Sequence, residues 1–272
     1  MPESAERPIA MFDSGFGGLT VARALIDLAP NEDIVYFGDT GRYPYGPLPH
    51  DEVRGYADQI TDWMIEQFDP KLVVVACNTA TAVALDELQA RVAVPVVGVV
   101  EPGLRSVLAV TETHRVGVIG TVGTIASGAY QRAAAEAAPA VTLTCAACPG
   151  FVEFVERGET DSDQVHVLAE RLLAPVIDAK VDALLLGCTH YPFLARTIGD
   201  VMGRDVVLVS SADETAFAVS DELVRSGAAT TRTSSGSHTF VSSGDVETFA
   251  RLGRRLLGPE LDRVHSHRWE AA

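Results

Sequence analysis

Apolar residues along this chain fall into two kinds of pattern. In the first they follow one another in short runs without alternation: Ile9-Ala10-Met11-Phe12, Val73-Val74-Val75-Ala76, Val94 to Val100, Val116 to Thr121 and Ala183-Leu184-Leu185-Leu186. Such runs fit strands buried on both faces, as in a parallel sheet covered by helices. In the second they recur at helical spacing, as do Val53, Tyr56, Ile60, Trp63, Met64 and Phe68. The two patterns alternate. They predict strands at 9–12, 33–37, 73–76, 94–100, 116–121, 140–145, 182–187, 206–209 and 239–242. Helices are predicted at 19–28, 51–68, 80–89, 124–137, 150–157, 163–178, 213–225 and 246–257, with another opening at Glu101. The fold class is therefore α/β. Two of the runs end alike, one in Cys77-Asn78-Thr79 and the other in Cys188-Thr189-His190, each followed by a helix-like segment. This loose internal repeat predicts two pseudo-symmetric α/β domains with mainly parallel sheets facing across an interdomain cleft. Ligand sites in such sheets lie at the carboxyl ends of strands, so both cysteines are expected at the edge of a site.

The segments between the runs add detail. Asp13-Ser14-Gly15-Phe16-Gly17-Gly18 joins the first strand to the first helix. The free N–H groups of a glycine-rich turn make an anion cradle. The lysine of a P-loop is missing, however, and Asp13 would repel a phosphate, so a tight strand-to-helix turn is the other reading. The loop Gly38 to Pro49 holds three prolines and three glycines, which gives it a fixed shape. Arg42, Tyr43 and Tyr45 on that loop suit contact with a substrate. Ala228 to His238, rich in Thr, Ser and Gly, reads as a flexible connector, and the polar tail Arg263 to Ala272 as frayed.

Composition narrows the class of function. The chain has 272 residues, 47% of them hydrophobic and 21% charged, enough for two ordinary globular domains. A net charge of −16 argues against a nucleic-acid partner, though not against a small acidic substrate held in a locally positive site. No apolar stretch reaches membrane-span length. Met1 to Pro8 is polar, with no signal-peptide core, so a cytoplasmic location is expected. There the four cysteines, Cys77, Cys145, Cys148 and Cys188, stay reduced.

A cysteine just before a helix is expected to have a depressed pKa, because the helix dipole and free N–H groups favour the thiolate. Cys77 and Cys188 both meet that description. His190 is placed to assist Cys188, and Asp13, at another strand end, to assist Cys77. Two thiols on one cavity support three chemistries. They can act as base and acid on opposite faces of one carbon, roughly 7 Å apart. They can form a reversible disulfide, or they can ligate a soft metal. The plain alternative is two small buried hydrophobes. Cys145-Ala146-Ala147-Cys148 has redox or zinc spacing but lacks a second ligand pair, and reads as structural thiols.

Taken in order, several motifs resemble those of glutamate racemases, of the cofactor-independent aspartate/glutamate racemase family. They are Phe12-Asp13-Ser14-Gly15 with Gly17-Gly18-Leu19-Thr20, Tyr36-Phe37-Gly38-Asp39 with Pro44-Tyr45-Gly46, Ala76-Cys77-Asn78-Thr79-Ala80, Gly98-Val99-Val100-Glu101-Pro102, Ile119-Gly120-Thr121, and Leu186-Gly187-Cys188-Thr189-His190-Tyr191-Pro192. The resemblance covers roughly 9 to 220. It implies that Cys77 and Cys188 are the acid/base pair, each serving one enantiomer of glutamate, with Asp13 and His190 assisting. It implies that Asp13, Ser14, Tyr45, Gly46, Asn78, Thr79, Thr189 and His190 bind the amino acid. A glutamate follows the family's Cys-Pro motif, and spacing here favours Glu156 over Glu153, although Val152-Glu153-Phe154 is less apolar than the family's pattern. The resemblance further implies a first domain of 1–98 plus 210–272 and a second of 99–209, no metal, no cofactor and a homodimer. The product, D-glutamate, would feed peptidoglycan synthesis in a bacterial cytoplasm. Three competing readings are an aspartate racemase or related isomerase on the same scaffold, a non-catalytic amino-acid sensor, and a thiol–disulfide protein.

Overall fold

A computed structural model describes residues 5–261 and 263–269. The first four residues of the polar N-terminal segment and the last three of the tail lie outside the described residues. Two parallel sheets form the frame. The first has six strands: β1 (Ile9–Asp13), β2 (Ile34–Gly38), β3 (Leu72–Val75), β4 (Val96–Gly98), and two strands from the far end of the chain, His238–Ser242 and Val264–Ser266. The second has four: β5 (Arg115–Gly120), β6 (Thr142–Ala147), β7 (Ala183–Gly187) and β8 (Val207–Val209). With His238–Ser242 as β9 and Val264–Ser266 as β10, the orders are β10-β9-β2-β1-β3-β4 and β6-β5-β7-β8, all neighbours parallel. No described helix is long and apolar enough to cross a membrane.

The uninterrupted apolar runs are explained by burial on both faces. Ile9 and Met11 of β1 enter one core with Leu19, Val21, Ala22 and Leu25 of α1 (Leu19–Leu28). Ala10 and Phe12 enter another, with α2 (His50–Phe68) and α3 (Asn78–Arg91). In the second sheet Val116, Val118, Ala183 and Leu185 meet α4 (Val100–Val110). Their alternates meet other helices on the far face.

The helix predicted over 124–137 is two helices, α5 (Val122–Ala126) and α6 (Ala129–Ala137). Gly128 between them sits at φ 71°, which no helix accommodates. Helices α7 (Phe151–Arg157), α8 (Asp163–Asp178), α9 (Ala195–Met202), α10 (Ala212–Ser226) and α11 (Val246–Leu257) complete the fold. Two further expectations are corrected. The 228–238 connector is ordered: Arg232 makes two hydrogen bonds to Asp33, at 3.1 and 2.8 Å, and Asn31 donates to the Arg232 carbonyl. The tail is not frayed up to Trp269. Val264–Ser266 adds a strand, and Trp269 packs on Phe37 and Trp63.

Candidate active site

The carboxyl ends of β1 and β3 carry Asp13 and Cys77; those of β5 and β7 carry Thr121 and Cys188. The two sets meet across a cavity of ≈ 20 Å³, counted as space open to the centre of a water molecule. That is room for about one water. Its walls hold Ser14, Tyr45, Gly46, Cys77, Asn78, Thr79, Cys188, Thr189 and His190, together with Tyr43, Pro44, Thr121 and Val152. The fully buried Asp13 stands behind the wall. Glu156 reaches His190 from α7, with 3.6 Å between Oε1 and Nε2. Glu153 instead faces a neighbouring apolar pocket of ≈ 60 Å³ beside Cys148. A larger open groove of ≈ 520 Å³ between α3 and α6 includes no cysteine.

Helix α3 begins at Asn78, two residues before the predicted start at Ala80, and its cap is Cys77. Its Sγ accepts the Ala80 N–H at 3.5 Å, and its S–H donates to Ser14 Oγ at 3.7 Å. The expected depression of its pKa does not occur. Burial pushes it up to about 11, the nearby Asp13 adds to the rise, and the Ala80 N–H offsets only part of it. Cys188 precedes not an α-helix but a 3₁₀ turn, Tyr191–Leu194. Burial raises its pKa further still, against hydrogen bonds from the His190 and Tyr191 N–H groups. Both thiols are neutral at rest. They are close enough that a charge on Cys77 raises the pKa of Cys188. Desolvation outweighs a helix terminus here because the whole group is withdrawn from water.

The glycine-rich turn is an anion cradle whose anion is Asp13. Gly15 N–H donates to Asp13 Oδ2 at 3.0 Å, and Ser14 and Gly18 contribute further backbone donors. Burial still holds the Asp13 pKa above the usual carboxylate range, with the neighbouring His190 and these N–H groups opposing it. Thr189 Oγ1 donates to Asp13 Oδ1 at 3.5 Å. A Cβ on Gly17 would fall 2.5 Å from Thr189 Oγ1 and 2.8 Å from His190 Nδ1, so glycine is what lets the two halves approach.

Four features were missed in the sequence. Thr79, Thr121 and Thr124 form a triangle of hydroxyls across the cleft, with Oγ–Oγ distances of 2.9, 3.1 and 2.9 Å. The motif Ile119-Gly120-Thr121, at a strand end, held the signal for one of them. Tyr130 on α6 donates to Asn78 Oδ1 at 2.7 Å. The fully buried Asp39 accepts hydrogen bonds from Arg42 Nε at 2.8 Å, Ser243 Oγ at 2.6 Å, Trp269 Nε1 at 3.0 Å and the Tyr45 hydroxyl. Arg42, expected to contact substrate, is instead off the cavity wall, paired with Asp39 and set against the rings of Tyr56 and Trp269. The loop that carries Tyr45 and Gly46 to the cavity is thereby tied to the C-terminal segment, a contact that local sequence does not reveal.

The Asp/Glu/hydantoin racemase profile matches residues 20–219. A glutamate racemase from Acidothermus cellulolyticus is 51% identical over 260 residues, spanning 94% of this chain and 97% of its own. The crystal structure of a glutamate racemase isoform from Bacillus anthracis superposes with a TM-score of 0.90 at 38% identity, covering 97% of both chains. That of the Francisella tularensis glutamate racemase, in complex with D-glutamate, does so at 0.88 and 32%, covering 98% of both. The matching run of sequence and the two facing sheets place this chain in the Asp/Glu/hydantoin racemase family.

Proposed function

We propose that this protein interconverts L- and D-glutamate by moving the Cα proton between Cys77 and Cys188. The observation that carries the proposal is one cysteine from each sheet on the wall of a single cavity. One sulfur, as thiolate, takes the Cα proton from one face. The other, as thiol, returns its own proton to the opposite face. The two sulfurs exchange protonation states in each turnover, and the reverse reaction restores them. Asp13 beside Cys77, and His190 with Glu156 beside Cys188, are the groups that adjust those states. The raised Asp13 pKa narrows its gap to the thiol, which eases proton exchange between them. The hydroxyls of Ser14, Thr79, Thr121 and Thr189 and the Asn78 amide supply donors for the carboxylates. Donors aimed at the α-carboxylate stabilise the carbanion as charge develops on it.

The same reading divides the chain into 1–98 plus 210–272 and 99–209, hinged where it crosses between the sheets. It extends to a cytoplasmic homodimer that supplies D-glutamate for peptidoglycan, with light scattering to find twice the 28.9 kDa chain mass. The test of the chemistry is D-glutamate in deuterated water with no added cofactor, following optical rotation and Cα deuterium together. Loss of rotation with label in the L product is expected. Label confined to recovered D-glutamate would mean one working base and overturn the two-thiol step. Binding without any exchange would favour the sensor reading. A faster rate on aspartate than on glutamate would favour the aspartate racemase.

A further inference from the structure

Asn78 is buried at the start of α3, next to Cys77, and its side chain lies on the cavity wall. A primary amide has two ends that differ in function. The NH₂ end attracts a carboxylate and the carbonyl end repels it. What decides which end faces the cavity is the partner on the other side. That partner is Tyr130, fully buried on α6, whose hydroxyl donates to Asn78 Oδ1 at 2.7 Å. With its carbonyl held, Asn78 keeps Nδ2 buried and without a partner among the described residues. An unpaired buried donor costs free energy, so a donor left free at a cavity wall is one that a ligand acceptor satisfies.

Tyr130 is itself fixed. Its ring lies against Gly187, where an added Cβ would come within 3.3 Å of Cε2. Gly187 immediately precedes Cys188, so the ring is braced on the strand that delivers the second thiol. Asn78 belongs to the half of the molecule built on β1 and β3, and Tyr130 to the half built on β5 and β7. The hydrogen bond therefore exists only when the halves are together, and it orients the amide at that moment.

We propose that Tyr130 is a positioning residue that fixes the rotamer of Asn78, so that its Nδ2 donates to a carboxylate of the bound amino acid. The inference rests on the glutamate reading above and adds a residue that touches no substrate. Without the phenol proton the amide is free to turn its carbonyl toward the carboxylate, which weakens substrate binding more than it slows proton transfer.

The test is Tyr130→Phe, which deletes one oxygen and keeps the ring against Gly187. KM for both enantiomers is expected to rise about tenfold, the range for a hydrogen bond to a charged group, with kcat within about twofold. Asn78→Ala is expected to raise KM by at least as much, and Tyr130→Phe on the Asn78→Ala background to add nothing, since the tyrosine would act only through the amide. Isothermal titration with D-glutamate reads the same losses independently of turnover. Unchanged KM in Tyr130→Phe, or additive losses in the double variant, would overturn the proposal while leaving an active wild type, and hence the racemase reading, intact. Wild-type protein that neither binds nor turns over glutamate would overturn both.

Discussion

At the scale of single residues, the four thiols, three buried and Cys145 partly so, leave a mark on stability, and two of them carry the proposed chemistry. On the proposed mechanism, replacing either Cys77 or Cys188 by serine removes one proton carrier from one face of Cα. Positioned acid/base groups contribute about 10²–10⁴-fold, so each substitution is expected to lower kcat by at least a hundredfold in both directions. Racemisation rates from D- and from L-glutamate check this. Full activity in both variants would end the two-thiol mechanism. The pH dependence follows from burial. Cys77 and Cys145 are pushed up to about 11 and Cys148 to about 12, from an ordinary 9.0, and Cys188 is raised as well. Between 9 and 12 the folded chain holds protons that the unfolded chain has released. The stabilisation is therefore complete below pH 9 and is lost as pH rises through the folded values. Cys77 alone represents about 3 kcal/mol at most. Urea unfolding under reducing conditions is expected to show stability falling steeply from pH 9 to 11. Cys145→Ala/Cys148→Ala, which spares the cavity, is expected to show a shallower fall. An equal slope in that variant would assign the loss to other groups. Helix position in the sequence pointed to lowered thiol pKa values. It erred because desolvation depends on the whole surrounding fold, which a local motif does not contain.

At the scale of elements, the strands were legible because burial on both faces leaves a continuous apolar run, as in Leu72–Val75 and Ala183–Gly187. The edge strand Val264–Ser266 was not, because its one apolar residue is followed by two exposed polar ones. The turn 13–18 was half legible. Its glycines announced an anion cradle or a tight turn, but the partners Thr189 and His190 lie more than 170 residues away, so the close approach they permit was not visible. That contact makes a specific prediction. In Gly17→Ala the new methyl must displace Thr189 and His190 from Asp13 and the cavity. A misplacement of about 1 Å at a reacting centre can cost 10²-fold. kcat/KM is expected to fall at least tenfold. Gly55→Ala within α2, where nothing lies within 4 Å, serves as the comparison. It is expected to keep wild-type kinetics and to gain about 0.5–1 kcal/mol of stability. Wild-type kinetics in Gly17→Ala would show that the turn has slack the structure does not display.

At the scale of the whole molecule, the site is an interface between two sheets that share a chain. Gly123 N–H donates to the Gly46 carbonyl at 2.8 Å, and His50 Nε2 lies 3.1 Å from the Gly123 carbonyl. The hydroxyl triangle, the Tyr130–Asn78 bond and the Asp13–Thr189 contact span the same cleft. A cavity with room for about one water does not hold an amino acid, so the walls are expected to part for substrate to enter and then to settle around it. Opening is then an equilibrium that a bound ligand opposes, since substrate held by both walls stabilises the form closed around it by RT ln(1 + [L]/Kd). The Gly123 amide reports that opening directly, because its acceptor lies on the other half. Amides inside β5, such as Val118, are bonded within one sheet and need a larger unfolding to exchange. With D-glutamate at one hundred times Kd, exchange at Gly123 is expected to slow by about 100-fold, with Val118 much less affected. Hydrogen exchange followed by NMR measures both in one sample. If Gly123 exchanges at the same rate with and without saturating D-glutamate, while racemisation proceeds, substrate enters without the halves parting. The loop 39–49, tied at Asp39 to Trp269, would then be the element that moves.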